Sequence, residues 1–229
     1  PDVTLGARTR VGPSAVITGH TTLGEDNVVF QFASIGEAPQ DLKYKGEPTR
    51  LEIGDRNVFR EFCTVNRGTT HDEGITSIGS DNLLMSYTHV AHDCRLGNRI
   101  VMANNATLGG HVKLGDWVIM GGFSGVHQFS QVGAHAFIAN NCAVTRDVPP
   151  YVMAVGQPAQ PHSINSKGLE RRGFSAQQIR NIKEAYRTLY RRELPLAEAQ
   201  QQLAALVPEQ PELAIFVQFI GASERSLVR

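Results

Sequence analysis

The chain has 229 residues, and its 22 basic side chains balance 22 acidic ones, which argues against general nucleic-acid binding. No apolar run reaches the roughly 18 residues that a membrane-spanning helix needs, and no secretory signal is recognisable. We therefore expect a cytoplasmic protein. The cysteines Cys63, Cys94 and Cys142 all occupy small inward positions of the repeat described below, a pattern typical of reduced packing residues.

The first predicted elements are short strands with a period of six residues. Aliphatic side chains recur at Leu5, Val11, Ile17, Leu23, Val29 and Ile35. Neither a helix nor a hairpin meander has this period, whereas a hexapeptide β-helix does. Because a β-helix that begins here would expose an unpaired edge, we expect further coils before residue 1.

Two polar insertions interrupt the repeat. Residues 37–52 form the first loop and contain Pro39, Gly46 and Pro48, and residues 67–77 form the second. Insertions that preserve the register on both sides are where such solenoids place binding groups. The alternative is that a loop is a tolerated surface insertion, and we weigh it more heavily for the second loop than for the first.

Residues 78–149 contain the longest uninterrupted stretch of the repeat. The period-six positions hold Ile78, Leu84, Val90, Leu96, Met102, Leu108, Leu114, Met120, Val126, Val132, Ile138 and Val144. The residue two before each of these lies on the same face of its strand and is usually small or β-branched, as a narrow interior requires. Three six-residue sides then make one triangular coil, with successive rungs about 4.8 Å apart.

Glycine recurs every eighteen residues in this stretch, at Gly79, Gly97, Gly115 and Gly133. We expect these glycines at the corners of the coil, where a positive φ favours glycine.

The coil is expected to end at Pro149 and Pro150, which divides the chain into a β-helix (1–150), an extended connector (151–164) and a helical domain (165–229). Ser175 is a suitable N-cap for a helix over about 176–192. Pro195 and residues 208–211 separate further helices. A domain this short is expected to pack on the coil or on a neighbouring subunit.

Histidines cluster in the coil, at His89, His92, His111, His127 and His135, and none takes an inward aliphatic position. Because positions 92 and 110 differ by eighteen residues, the His92 imidazole and the Gly110 backbone N–H should be neighbours on successive rungs. A general base beside a backbone donor is what acyl transfer requires, and neutral histidine serves as a base near pH 7.

Three alternatives stay open at this point. The histidines could be surface groups that only form hydrogen bonds or pack at an interface. Three imidazoles from adjacent subunits could bind Zn²⁺, which would make the chain a zinc-dependent hydratase of the carbonic-anhydrase type. The chain could also be a non-catalytic binding solenoid.

Six stretches carry specific motifs: QFASIGEAPQDLKYKGEPTR (31–50), SDNLLMSYTHVAHDC (80–94), NNATLGGHV (104–112), GVHQF (125–129), DVPPYV (147–152) and GLERRGFS (168–175). Together they resemble the UDP-N-acetylglucosamine 3-O-acyltransferase family, which opens lipid A biosynthesis. The resemblance implies a homotrimer of left-handed parallel β-helices with active sites between subunits. It also implies transfer of an R-3-hydroxyacyl group from acyl carrier protein to the sugar 3-hydroxyl, with no cofactor or metal.

Site residues follow from the same resemblance. It implies that His92 is the general base, that Asp93 orients it, and that Gly110 donates its N–H to the oxyanion. Asp93 is a difficult assignment, since neighbours in a strand point to opposite faces. The residues implied at the sugar, phosphate and nucleotide are Gln40, Asp41, Lys43, His89, His111, His127, Gln128, Asn165 and Arg171.

A basic surface is implied at the start of the helical domain. This surface would attract the acidic acyl carrier protein through Arg172, Arg180, Lys183 and Arg187. The alternative is an ordinary solvated helix face.

Two departures from the family pattern are Asn66, where histidine is common, and Lys167, where glutamate is common. The bulk of Asn140 favours a shorter acyl chain than glycine would allow.

Overall fold

The computed structural model describes residues 2–223 and 225–229, and its strands wind into a three-sided coil that is followed by helices. The strands are, in order, β1 (Val3–Leu5), β2 (Arg10–Val11), β3 (Val16–Ile17), β4 (His20–Leu23), β5 (Val28–Val29), β6 (Ser34–Glu37), β7 (Arg50–Ile53), β8 (Val58–Phe59), β9 (Thr64–Asn66), β10 (Ile75–Ile78), β11 (Leu83–Leu84), β12 (His89–Val90), β13 (Arg95–Leu96), β14 (Val101–Met102), β15 (Thr107–Leu108), β16 (Lys113–Leu114), β17 (Ile119–Met120), β18 (Gly125–Val126), β19 (Gln131–Val132), β20 (Phe137–Ile138), β21 (Ala143–Val144), β22 (Val152–Val155) and β23 (Gln160–Ile164).

These strands form three sheets, because each coil contributes one strand to each side. Sheet A holds β1, β4, β7, β10, β13, β16 and β19; sheet B holds β2, β5, β8, β11, β14, β17, β20, β22 and β23; sheet C holds β3, β6, β9, β12, β15, β18 and β21. Neighbouring strands are parallel, and outside the two insertions they keep the register of the eighteen-residue repeat, as where Val90 pairs with Leu108. The antiparallel pair of β22 and β23 extends sheet B, so residues 151–164 are more than a connector.

The interior of the coil is the one that the period of six predicts. The twelve aliphatic residues from Ile78 to Val144 are all buried, and so are the smaller residues two positions before them, such as Cys94, Ala106 and Ser130. The three cysteines are free thiols. Burial raises the pKa of Cys94 to about 12 and that of Cys142 to about 11, which keeps these thiols protonated and unreactive.

The explanation predicted for the corner glycines is wrong. Positive φ falls instead on the third residue after each aliphatic, for example 60° at Asp93 and 62° at His111. Glycine is required elsewhere in the turn because the next rung is too close for a side chain. A Cβ on Gly115 would lie 2.6 Å from the backbone nitrogen of Ala134.

The C-terminal part contains α1 (Ser166–Arg171), α2 (Ala176–Tyr190), α3 (Leu196–Leu206), a 3₁₀ helix (Pro211–Leu213) and α4 (Ala214–Ala222). Ser175 caps α2 as predicted: its hydroxyl accepts the Gln178 N–H, and the Gln178 side chain accepts the Ser175 N–H. The chain end returns to the coil, where Leu227 bridges Asp147. In the part of the chain that the structure describes, no helix is both long and apolar enough to cross a membrane.

An aromatic cluster joins the helices to the corner between sheets A and B. His135 stacks between Trp117 and Tyr151, with ring centroids 6.3 and 5.5 Å away, and Phe174 meets its edge. The Arg172 guanidinium donates to His135 Nδ1 over 3.1 Å. Burial, reinforced by the charge of Arg172, lowers the pKa of His135 to about 4. His135 is therefore a neutral packing group at this junction.

The close approach of the rungs gives a first prediction. Gly115→Ala should lower the free energy of unfolding by about 1–3 kcal/mol, since the new methyl group overlaps the backbone of the next rung. Gly125→Ala is the matched control: a Cβ there meets nothing within 4 Å, so the change should stay within about 0.5 kcal/mol. Denaturant unfolding measures both, and equal stability of the two variants would contradict the explanation.

The junction gives a second prediction, on pH. Because the folded-state pKa of His135 lies near 4 and the ordinary value is 6.5, the unfolded chain binds a proton that the folded chain refuses. The stabilisation present above pH 6.5 should be lost as the pH falls towards 4. His135→Gln should flatten the decline in unfolding free energy over this window, while His162→Gln, at an exposed position, should not. An unchanged slope in the His135 variant would refute the assignment.

Candidate active site

The corner between sheets C and A brings the central polar residues together. His92, Gly110 and Gln128 follow β12, β15 and β18, which are consecutive strands of sheet C. A Cβ on Gly110 would lie 2.6 Å from Cε1 and 2.8 Å from Nε2 of His92. The imidazole therefore packs directly against the glycine backbone of the next rung, and any larger residue at 110 would displace it.

The Gly110 backbone N–H is available to a ligand. Its carbonyl accepts the Phe129 N–H over 2.9 Å, but across residues 2–223 and 225–229 its own N–H donates no hydrogen bond. Buried or groove-lining backbone donors are nearly always paired in proteins. The free Gly110 N–H beside the imidazole is therefore available to a group from outside the chain.

Asp93 holds the His92 ring. Its Oδ2 lies 2.8 Å from His92 Nδ1, and the Asp93 side chain is fully buried while that of His92 is 15% exposed. The two residues lie in a corner, where the positive φ of Asp93 turns its side chain back towards His92. The rule that neighbouring residues of a strand point to opposite faces therefore does not apply to this pair. Because a carboxylate accepts, Nδ1 carries the proton in this pair, and the neutral form of the ring then presents its lone pair at Nε2.

The carboxylate of Asp93 is itself held from the second loop. Thr69 donates its backbone N–H to Oδ1 over 2.8 Å and its hydroxyl to Oδ2 over 2.7 Å. Burial by itself raises the pKa of Asp93, but the hydrogen bonds from His92 and Thr69 outweigh it, and the pKa stays below its ordinary value. The group is thus a buried anion whose charge faces the imidazole.

His111 occupies the position one rung beyond Asp93. Its Nδ1 lies 3.0 Å from Asp72 Oδ2, and its Nε2 lies 3.6 Å from Asp93 Oδ2. The ring stacks on Phe129 with centroids 4.3 Å apart. The second loop thus contacts two successive rungs of this corner, through Thr69 and through Asp72. Sequence reasoning missed Thr69, His71 and Asp72, although the polar run TTHD inside an insertion was a usable signal.

A first groove of about 600 Å³ connects the two loops to this corner. This groove brings together six of the predicted residues, and the second loop contributes Thr69 and His71 as well. Its lining is Gln40, Asp41, Leu42, Lys43, Thr69, His71, His92, His111, Gln128 and Phe129. Arg67 secures the first loop by donating to the Tyr44 hydroxyl over 2.9 Å.

A second groove of about 500 Å³ crosses the outer face of sheet C from the same corner. Its lining is mainly apolar or backbone: Thr107, Gly109, Gly110, Gly125, Val126, His127, Gln128, Ala143, Val144 and Thr145. Gly125 has neither a positive φ nor a close neighbour, so the fold itself does not require glycine there. Its effect is to keep the floor of the groove flat. Gln128 lines both grooves, which therefore meet beside His92 and Gly110.

Other predicted residues lie outside these grooves. His89 is half-buried on sheet C, with Nδ1 2.7 Å from the Thr64 hydroxyl, and burial lowers its pKa. Asn165 is buried: it accepts the Gly168 N–H as the N-cap of α1 and donates to the His135 carbonyl. Arg171 is exposed on the same helix. Within one chain, Asn165 and Arg171 lie by the corner between sheets A and B, not beside His92.

The predicted basic surface is only partly as expected. Arg180, Lys183 and Arg187 are exposed on α2, where Arg187 pairs with Glu184. Arg172 is instead half-buried, lies 5.1 Å from the Trp117 ring, and has its pKa lowered by burial. Arg172 therefore belongs to the aromatic junction, because its guanidinium is already engaged there.

The residues that depart from the family pattern also have definite places. Asn66 is buried and donates to the Ala38 carbonyl over 3.0 Å, so it supports the first loop and does not open into the groove. Lys167 pairs with Glu170 over 2.9 Å on the surface. Asn140 lies in the exposed turn before β21, where its carboxamide oxygen accepts the Gly122 N–H over 3.0 Å.

The fold and the relatives of this chain assign it to the acyltransferases of the hexapeptide-repeat class. The family model described as UDP N-acetylglucosamine O-acyltransferase, domain 2, matches residues 147–228. The acyl-[acyl-carrier-protein]–UDP-N-acetylglucosamine O-acyltransferase of Janthinobacterium sp. (strain Marseille) is 56% identical over 208 residues, which are 89% of this chain and 79% of that protein. The protein of the same name from Thiobacillus denitrificans is 55% identical over 203 residues, with the same coverage of 89% and 79%. The chain belongs to this family of acyl-[acyl-carrier-protein]–UDP-N-acetylglucosamine O-acyltransferases.

Solved structures agree with this assignment. LpxA from Acinetobacter baumannii superposes with a TM-score of 0.98 at 45% identity, covering 100% of this chain and 89% of that one. The UDP-N-acetylglucosamine acyltransferase from Campylobacter jejuni gives a TM-score of 0.92 at 35% identity, covering 99% and 88%. The coil is thus a left-handed parallel β-helix, and the resemblance seen in the sequence is confirmed.

Proposed function

We propose that the chain transfers an R-3-hydroxyacyl group from acyl carrier protein to the 3-hydroxyl of UDP-N-acetylglucosamine, the first step of lipid A biosynthesis. The observation that carries this proposal is the His92 ring, held by Asp93 and packed against the free N–H of Gly110 where two grooves meet. The printed names of the relatives support the choice of donor and acceptor.

The geometry supports a single-displacement mechanism. His92 Nε2 removes the proton of the sugar 3-hydroxyl as its oxygen attacks the thioester carbonyl carbon. The Gly110 N–H donates to the resulting oxyanion, and such a donor typically contributes about 10²- to 10³-fold to the rate. Collapse of the tetrahedral intermediate expels the carrier-protein thiolate, which takes up the proton from the imidazolium. The Asp93 carboxylate stabilises the imidazolium as long as it exists.

The two grooves differ in the chemistry that they offer. The first presents Lys43 and His111, which suit the diphosphate of a sugar nucleotide. The second has the flat floor formed by Gly125 and Ala143, which suits an acyl chain that starts at Gly110 and runs across sheet C. This partition places the sugar hydroxyl and the thioester on the two sides of His92.

A homotrimer would complete the site. Asn165 and Arg171 lie at one corner of the triangular coil and His92 at another, so a nucleotide beside His92 could meet them only from a neighbouring copy. The third corner carries the exposed aromatic residues Phe32, Phe62 and Tyr87, stacked with centroids 5.3 and 4.8 Å apart. A row of exposed rings is a surface suited to contacts between copies.

The exposed cations of α2 are the proposed docking surface for the carrier protein. Arg180 and Lys183 have no carboxylate partner within the described residues, and Arg187 pairs only with Glu184 at the surface. Exposed cations of this kind mainly raise the association rate of an acidic partner and make it dependent on salt.

The proposed base gives a third prediction. His92→Ala should lower kcat about 10²- to 10⁴-fold, because it removes general-base catalysis while the inward core stays intact. The measurement is mass spectrometry of UDP-N-acetylglucosamine incubated with a panel of 3-hydroxyacyl carrier proteins, together with the oligomeric state of the variant. His20→Ala, at an exposed position of the first coils, is the control and should retain normal turnover. Near-normal turnover of the His92 variant would remove His92 from the mechanism.

The zinc alternative has one observation in its favour: His92, Asp93 and His111 each place a potential ligand atom within 4.8 Å of the others. Against it, Asp93 Oδ2 is already shared, since His92 Nδ1 donates to it over 2.8 Å and the Thr69 hydroxyl donates to the same oxygen.

We accordingly predict, fourth, that dialysis against a strong chelator leaves acyl transfer unchanged. Stoichiometric zinc in elemental analysis, with loss of activity on its removal, would favour the hydratase. A non-catalytic solenoid would bind acyl carrier protein and give no ester product in the same mass spectra.

A further inference from the structure

The second loop makes a two-point contact with the buried carboxylate beside the proposed base. Thr69 reaches both oxygens of Asp93, with its N–H on Oδ1 at 2.8 Å and its hydroxyl on Oδ2 at 2.7 Å. His92 Nδ1 shares Oδ2 at 2.8 Å. We infer that Thr69 is a positioning residue, which acts through Asp93 to hold the His92 ring in its reactive orientation; this inference rests on the proposed function.

The physical reason is that nothing else fixes the plane of this carboxylate. The Asp93 side chain has no exposed surface and Thr69 is 2% exposed at the wall of the first groove, so water has little access to the position of a lost hydroxyl. The remaining partners of Oδ2 are imidazoles, His92 at 2.8 Å and His111 at 3.6 Å. Without the hydroxyl, the loop holds the carboxylate only through the Thr69 N–H on Oδ1, so Oδ2 is less firmly fixed between the two rings as the acceptor of His92.

The loop is anchored well enough to impose that orientation. At its base the Gly68 N–H donates to the Arg50 carbonyl over 3.1 Å, and a Cβ on Gly68 would lie 2.2 Å from the Ile75 nitrogen. At its tip Glu73 pairs with Arg95 over 2.8 Å. Thr69 thus lies in a loop that is bonded to sheet A at its base and at its tip.

A residue that only satisfies a buried anion would affect folding, whereas a positioning residue affects turnover. The fifth prediction separates these roles with Thr69→Val, which keeps the shape and removes the hydroxyl, and Thr69→Ser, which retains it. Thr69→Val should lower kcat about 10- to 100-fold with KM for the sugar nucleotide within about twofold, as the loss of one hydrogen bond to a charged group implies. Thr69→Ser should recover turnover to within about threefold of the parent.

Controls keep the comparison specific. Thr70→Val makes the same chemical change at the exposed neighbouring position and should leave kcat unaltered. Thermal midpoints and oligomeric state are measured for each variant, and Thr69→Ala replaces Thr69→Val if the latter does not fold. Equal kcat for the valine and serine variants, or a loss confined to the thermal midpoint, would overturn the inference.

A double-mutant cycle tests whether Thr69 acts through Asp93. In an Asp93→Asn background, Thr69→Val should change kcat by less than about twofold, because the group it orients is no longer the carboxylate. If Thr69→Val lowered kcat by its full factor in the Asp93→Asn background as well, Thr69 would act independently of Asp93, and the inference would be refuted. Failure of the proposed function is distinguishable, because the parent chain would then give no acylated sugar nucleotide at all. Failure of the proposed base alone would leave normal acyl transfer in His92→Ala and Asp93→Asn, whatever the effect of Thr69→Val.

Discussion

The constraint on which the structure depends is the return of the chain every eighteen residues to a position about 4.8 Å along the axis. It makes the side chains of successive rungs neighbours, so the interior is a stack of aliphatic layers and each corner is a stack of turns. The same spacing excludes side chains where backbones approach, as at Gly115, and places the His92 ring against Gly110. Core packing and the candidate site are thus two consequences of one repeat.

The sequence predicts what this repeat controls and fails where other forces act. Period-six positions such as Met102 and Leu108 are buried because a triangular coil leaves them no alternative. The residues with left-handed backbone at the corners escaped prediction, since a positive φ was expected at the glycines and Asp93 was judged as if it lay on a strand. The contacts of Thr69 depend on how an eleven-residue insertion folds back over two rungs, which no periodicity encodes.

Corners differ in what they stack, and this separates structural from functional histidines. His135 lies between Trp117 and Tyr151, where burial and Arg172 hold its pKa near 4, so it packs as a neutral ring. His92 meets a buried carboxylate on one side and a groove on the other. Chemical type alone does not distinguish the two residues, but the charge that each faces does.

A buried carboxylate is costly unless it is fully hydrogen-bonded, and here the bonds come from a part of the chain outside the repeat. The coil supplies the position of Asp93, and the loop supplies Thr69 to Asp93 and Asp72 to His111. One insertion therefore contacts the His111 imidazole directly and the His92 imidazole through Asp93, while leaving the register of β9 and β10 intact. Rigid rungs fix distances along the axis, and the polar contacts of the loop set the direction in which each ring points.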